Sequence, residues 1–353
     1  MNPSATKNPP ERRLIVHIGS PKTGTSALQQ FLSTRREALA GNGILYPVGG
    51  SKRIGHHVLG AAIFPGRSSR LEGQTRDQAL DTSLLDIQSE ITSLNPHTVI
   101  LSTEYLWGYL SRANILRLLT PFADWKITVV AYLRRQDLLA QSLYIQAVKG
   151  GEARKFTDWL IQATEGPKGG FDYFRVLDSW KSCGLDPDIV VRVCEKGQLD
   201  HDVCEDFVRC VLPNASLSFD TQASQTNTSP GMATIELLKR VSATIADPAM
   251  ASTIRRRIIS KSPPRQMFEP LNYFTQADAM RFLADYETSS AAVARQFLNR
   301  SDGVLFREHP PADDDRSSHH IEDGEILNRL LAVLPQMVEP APVKAKKKIG
   351  QTR

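Results

Sequence analysis

Long apolar runs are missing from this chain, and with them the simplest route across a membrane. No stretch approaches the roughly 18 apolar residues that a spanning helix needs. The opening MNPSATKNPPERR is polar and carries prolines, unlike a secretory leader. The expectation is a cytoplasmic protein with no transmembrane segment. Cysteine is scarce too: Cys183, Cys194, Cys204 and Cys210 are the only four, and no two share Cys-x-x-Cys spacing. They read as reduced thiols, which argues against a disulfide framework or a thiolate metal site. Charge of one sign barely dominates. The net charge is +5, and part of it sits in a KAKKK run near the end of the chain. An anionic ligand is allowed and nucleic acid is not demanded. No internal repeat is present.

What the chain does have is core material. Its 353 residues are 41% hydrophobic, enough for one large α/β domain or two small ones. After a polar tail, RRLIVHIG is a short apolar run ending in glycine, and TSALQQFLSTRREALA carries a helical pattern up to Gly41. Residues 75–94 read as a helix, HTVILS (97–102) as a buried strand, NILRLLTPFA as a helix and KITVVAYL as a second buried strand. A helix comes next at 137–149 with Asp137 as its N-cap, ended by Gly150 and Gly151. Amphipathic segments come near 155–164 and 172–182, then a strand DIVVRV and a helix near 200–211. Helices are expected around 230–245, 275–298 and 322–335.

This alternation predicts βαβ units and a mostly parallel central sheet flanked by helices on both faces, with a helical C-terminal half. The organisation expected is a disordered tail over 1–11, a single domain over 12–336 and a basic disordered tail over 337–353.

Ligands of open parallel sheets bind beyond the carboxyl ends of the strands, so the residues just after each strand carry the functional reading. The first such segment is HIGSPKTGTS, residues 17–26. Gly19, Gly24 and Ser26 keep the register of a nucleotide phosphate loop, but its lysine position holds Thr25 and the lysine stands earlier, at Lys22. Glycines let the backbone approach an anion, and the helix after the loop offers its positive end. Lys22 adds charge, and Thr25 and Ser26 add hydroxyl donors. An ordinary glycine-bearing turn is the plainer alternative.

The second segment is YLRRQDLLAQSLY. Arg134 and Arg135 precede a helix whose start is already electropositive, which favours an anion among them. Ser142, eight residues after Arg134, meets that anion only if its helix passes alongside. A basic surface corner is the other reading. The third segment is LSTEYL, which places Glu104 past a strand end as a candidate general base or as a salt-bridged glutamate. His56 and His57 in RIGHHVLGAA are a rival base or an acceptor contact, or else a structural pair. The acidic run at 313–315 reads as a solvated loop rather than a metal site.

PKTGTS after the first strand, with Arg134 and Ser142 after a later one, resembles the paired signatures of sulfotransferases that use 3′-phosphoadenosine 5′-phosphosulfate, or PAPS. STEYL is similar to the segment in which carbohydrate sulfotransferases carry a catalytic glutamate. FDYFRVLDSWKSCG, DIVVRVCEKGQL, QTNTSPGMATIELLKRV and VARQFLNRSDGVLF are similar to later segments of bacterial members. The likeness covers about residues 12–307. It implies a P-loop-containing three-layer fold. It also implies sulfuryl transfer from PAPS to an acceptor hydroxyl on a saccharide, lipopolysaccharide or glycolipid, without a metal.

On that resemblance Lys22 contacts the phosphosulfate bridge, and Thr23, Gly24, Thr25 and Ser26 cradle the 5′-phosphate. Arg134 and Ser142 hold the 3′-phosphate, Glu104 or His57 takes the hydroxyl proton, and Arg135 faces away. The basic loop that completes the 3′-phosphate site in that family is not recognisable, and Arg255 to Arg257 with Lys261 are candidates or a solvated helix face. The acceptor's identity and the oligomeric state are left open. A P-loop kinase or nucleotide hydrolase with a degenerate loop, and a non-catalytic nucleotide-binding module, are the competing classes.

Overall fold

The computed structural model describes residues 11–64, 71, 73–165, 170–199, 202–213, 215, 230–262, 273–312 and 323–338. The expected tails, the start of QTNTSPGM and the acidic run at 313–315 lie outside the described residues. In chain order the elements are β1 (Arg13–Gly19), α1 (Thr25–Thr34), α2 (Arg36–Gly41), β2 (Ile44–Leu45), α3 (His57–Ile63), α4 (Arg76–Leu94), β3 (Thr98–Ser102), α5 (Arg112–Leu119), β4 (Lys126–Leu133), α6 (Gln136–Gly150), α7 (Phe156–Thr164), α8 (Tyr173–Lys181), β5 (Asp188–Val193), α9 (Val203–Val211), α10 (Met232–Thr244), α11 (Pro248–Lys261), α12 (Gln276–Ala284), α13 (Glu287–Leu298) and α14 (Asp323–Val338). Single 3-10 turns cover Glu104–Leu106 and Thr120–Phe122.

The strands form one sheet in the order β2-β3-β1-β4-β5, and every pairing is parallel. The reason lies in the apolar runs. β1, β3 and β4 are buried at nearly every position, and because successive side chains point to opposite faces, both faces of the sheet must be covered. Ile15 of β1 stands beside Ile100 of β3 on one side and Thr128 of β4 on the other. After β1 the chain passes to β2, returns to β3, and then crosses to β4 on the far side of β1. The strand order therefore reverses at β1, and the carboxyl ends of β1, β3 and β4 lie along one edge of the sheet.

The chain divides into two compact units. The first comprises Met1–Leu143, Thr157–Thr226 and Phe274–Asp314, and so contains the whole sheet. The second comprises Tyr144–Phe156, Asn227–Tyr273 and Asp315–Arg353, and is built on α10, α11 and α14. In it the Tyr144 ring meets Phe156 and Tyr273 edge-on at 5.3 and 4.9 Å. Among the described residues, no helix is long and apolar enough to cross a membrane.

Local rules account for most element ends. The long α4 starts on a capping box, in which the Thr75 hydroxyl accepts from the Gln78 amide and the Gln78 side chain accepts from the Thr75 amide. Three expectations need correcting. The helix expected to run unbroken to Gly41 breaks at Arg35, because Ser33 and Thr34 donate back to the carbonyls of Gln30 and Phe31 and draw the last turn out of line. The segment 275–298 is two helices, α12 and α13, parted where Tyr286 leaves helical geometry and packs on Phe171 and Phe282. Asp137 is not an N-cap: it lies inside α6, its carboxylate taken by Arg135. The short β2 and the helix α3 were not foreseen, since neither carries enough residues for a period to show.

Two buried histidines make the fold acid-sensitive. His17 of β1 is fully buried, its Nδ1 hydrogen-bonds Ser102 Oγ at 2.8 Å, and burial lowers its pKa to about 3. His56 is also fully buried, and burial lowers its pKa to about 4. An unfolded histidine protonates near 6.5. As pH falls below that value the unfolded chain gains protons that the fold refuses until about pH 4 and 3, so stability drops as pH falls through this window. Urea unfolding at pH 7.5 and pH 4.5 is expected to differ by a few kcal/mol, on the order of 1.4 kcal/mol per histidine per pH unit. His17→Gln, which has no titrating ring, is expected to remove about half of that slope. An unchanged slope would remove His17 from the acid sensitivity.

Candidate functional site

The site begins where β1 ends. Gly19 has φ 90°, and a Cβ there would stand 3.2 Å from both Cα and Cβ of Glu104. Glycine is required both for the left-handed turn off the sheet and for the close approach of the chain leaving β3. That approach seats Glu104 beside the first residue of the phosphate-type loop.

The loop shapes itself from within. The Ser20 amide donates to the Tyr132 carbonyl at 3.1 Å, and the hydroxyls of Thr23 and Thr25 both donate to the Ser20 carbonyl, at 2.7 and 3.3 Å. Thr23 and Thr25 are accordingly buried, whereas Lys22, Gly24 and Ser26 are less enclosed. The two threonine hydroxyls thus hold the loop's shape, and a bound anion would meet the backbone amides, Ser26 and Lys22. Lys22 itself is left-handed, with φ 68°, a conformation that costs a non-glycine residue about 1–2 kcal/mol. Strain of this kind gathers at ligand-binding turns. The helix α1 then starts with no side-chain cap and no acidic residue in its first turn, so neither of these offsets its positive end.

The second arginine motif folds back onto this loop. Arg134 Nη1 donates to Ser142 Oγ at 3.1 Å and to the carbonyl of Lys22 at 3.4 Å. Ser142 in turn donates to the Leu138 carbonyl at 2.8 Å, which points its lone pairs at Arg134. The buried Tyr173 donates its hydroxyl to the Arg134 carbonyl and anchors the backbone there. Arg135 goes the other way. It is buried, forms a two-point pair with Asp137 at 2.7 and 3.0 Å, and donates to the Glu308 carbonyl at 2.8 Å. The carboxylate of Glu195, just past β5, accepts the amides of Arg307 and Glu308 at 2.7 and 2.8 Å and pins that segment beside Arg135.

Glu104 and His57, read from the sequence as rivals, stand against each other. Glu104 Oε2 is 3.9 Å from His57 Nδ1, with the two side chains 28% and 18% exposed. His57 Nδ1 is closer to Thr103 Oγ1, at 3.1 Å, and its ring lies 4.8 Å from that of Tyr105. His56 is a different case. The Ser102 amide donates to its Nδ1 at 3.0 Å, and its Nε2 faces the Pro47 carbonyl at 3.1 Å. Those partners fix a neutral ring with its proton on Nε2, so His56 is structural.

Lys22, Thr23, Gly24, Thr25, Ser26, Arg134, Ser142, Glu104 and His57 all belong to the first unit. Arg255 to Arg257 and Lys261 belong to the second. There Arg255 is buried and donates to Ser242 Oγ at 3.1 Å and to the Gly150 carbonyl at 3.4 Å, a structural role. Three site neighbours were missed from the sequence: Gln29, Thr103 and Tyr173. Gln29 left one trace, a polar residue among the apolar positions Leu28, Phe31 and Leu32 on the buried face of α1.

The four cysteines are free, and burial pushes the thiols of Cys194 and Cys204 up to about 12, so neither supplies a nucleophile near neutral pH. The chemistry the site can offer is anion binding by Lys22, Arg134 and the start of α1, with a carboxylate and an imidazole at its edge.

Comparison with known proteins places no function on this site. No protein-family model matches the chain, and no solved structure matches it. Over 68 residues it is 37% identical to an uncharacterized protein of Archaeoglobus fulgidus, a stretch that is 19% of this chain and 17% of that protein. The chain therefore spans under a fifth of the relative it matches, and the similarity carries no activity with it.

Proposed function

We propose that this protein is a PAPS-dependent sulfotransferase of the carbohydrate-modifying kind, acting in the cytoplasm on a hydroxyl of a saccharide or glycolipid. One observation carries the reading. A single guanidinium, that of Arg134, bonds both Ser142 and the carbonyl of Lys22, so the two candidate phosphate motifs are in direct contact, and Glu104 stands against Gly19 at the start of the loop.

In this reading PAPS supplies an activated sulfuryl group. The amides of Thr23, Gly24, Thr25 and Ser26 hold its 5′-phosphate, while Arg134 and Ser142 hold its 3′-phosphate through charge-assisted bonds worth about 1.5–3 kcal/mol each. Lys22 neutralises the oxygen that leaves as the sulfur–oxygen bridge breaks, and Glu104 takes the acceptor's proton as its oxygen bonds to sulfur. A sulfuryl group carries less negative charge than a phosphoryl group, so lysine and loop amides can replace the divalent ion a kinase needs.

Thermal shift separates this reading from the nucleotide-hydrolase one. Adenosine 3′,5′-bisphosphate without metal is expected to raise Tm, and Mg²⁺-ATP is not, because binding to the folded form stabilises it by mass action. Arg134→Ala is expected to lose most of that bisphosphate shift while keeping any shift given by adenosine 5′-phosphosulfate. Stabilisation by Mg²⁺-ATP alone would overturn the proposal. Equal losses for the two ligands would remove the 3′-phosphate role from Arg134.

A further inference from the structure

The helix that begins at the phosphate loop also reaches the candidate base. Gln29 of α1 is 1% exposed, and its Nε2 donates to Glu104 Oε2 at 3.1 Å and to the Ser102 carbonyl at 3.4 Å. A neutral amide is well suited to this position. It delivers a hydrogen-bond donor to a carboxylate without the positive charge that would bind the carboxylate as an ion pair and weaken it as a base. With Oε2 engaged by Gln29 and facing His57, the second oxygen, Oε1, is the one left to meet an acceptor hydroxyl.

A second observation, on a different part of the chain, points the same way. A Cβ at Gly55 would stand 2.6 Å from Gln29 Cδ, 2.7 Å from its Oε1 and 2.9 Å from its Nε2. Gly55 does not have the left-handed φ that would demand glycine for the backbone's sake. The space a side chain would take is instead filled by the Gln29 amide, which lies between Gly55, Ser102 and Glu104. The loop before α3 is shaped around that amide, and His57, two residues further on, completes the far side of the carboxylate.

We infer that Gln29 is the positioning residue of this site: its amide holds Oε2 of Glu104 so that Oε1 faces the acceptor, and it links the base to the helix whose first turn binds the donor. The inference rests on the reading of Glu104 as the base in sulfuryl transfer.

The test uses the full chain and PAPS, with water as the acceptor. The water oxygen bonds to sulfur, the bridge oxygen leaves with its electron pair on adenosine 3′,5′-bisphosphate, and the proton goes to Glu104. Sulfate release from saturating PAPS is compared in the natural chain, Gln29→Met, Gly55→Ala, the double variant and Glu104→Gln, with bisphosphate affinity measured alongside by calorimetry. Gln29→Met keeps the side chain's length and loses its donor. Gly55→Ala pushes the amide aside without altering it.

Each single variant is expected to release sulfate about 10- to 100-fold more slowly, the penalty of a misplaced catalytic group, with bisphosphate affinity within about twofold of the natural chain. The double variant is expected to be no slower than the slower single one, because both act through one contact. Normal release by Gln29→Met, or independent and multiplying losses, would overturn the role of Gln29. A Gln29→Met chain that lost bisphosphate affinity in step with its rate would also overturn it, by showing a structural part. Failure of the natural chain to bind bisphosphate would instead overturn the proposed function, and the inference with it; a chain that binds bisphosphate and releases no sulfate would overturn Glu104 as a base able to activate water, and with it the role of Gln29.

Discussion

Lys22→Ala is expected to slow sulfuryl transfer from PAPS by about 10²- to 10³-fold, the usual cost of deleting one preorganised donor to a developing negative charge. The side chain is exposed, so no core contact is lost. The backbone is the complication, because Lys22 is left-handed and alanine inherits its strain. Lys22→Gly separates the two effects. Glycine is at ease at φ 68°, so this variant is expected to be more stable than the natural chain by about 1 kcal/mol and still as slow as the alanine variant. Transfer measured with labelled PAPS, beside thermal melting, checks both halves. A Lys22→Gly chain with near-normal transfer would mean that the loop geometry matters and the ammonium does not, and the proposed leaving-group role would fall.

Glu104→Gln carries the next largest effect, a loss of about 10²- to 10⁴-fold in turnover with bisphosphate affinity unchanged. The amide keeps the shape of the carboxylate against Gly19 and loses only its power to take a proton. His57→Ala is expected to cost less. Its Nδ1 lies nearer the Thr103 hydroxyl, at 3.1 Å, than Glu104 Oε2, at 3.9 Å, and in the proposed function the base is Glu104. If His57→Ala were inactive and Glu104→Gln active, the order would be reversed, with Glu104 orienting an imidazole base. Comparable and non-additive losses would identify the pair as one unit.

The residues of the candidate site are legible in the sequence for local reasons. An apolar run leading into SPKTGTS and an amphipathic segment encodes a strand, a glycine-bearing turn and a helix within about twenty residues, and each part depends on its neighbours in sequence. Lys22, Glu104 and Arg134 were found by one rule, that ligands gather at the residues just past each strand's carboxyl end, and that rule needs only the strand positions. The helix break at Arg35 was harder. Ser33 and Thr34 are tolerated inside helices, and only the back-bonds they make here reveal the bend.

The sequence by itself determined a parallel α/β sheet and the residue types gathered along one of its edges, because periodicity, glycine and strand ends are written over short distances. Only the tertiary structure decided which of those residues touch. Arg134 meets a carbonyl 112 residues earlier, Gln29 meets a carboxylate 75 residues later, and of two adjacent arginines one turns to the loop while its neighbour is buried on Asp137. These pairings depend on strand order and on competition among hydrogen-bond partners. Both are properties of the packed chain and leave no periodic mark in the sequence.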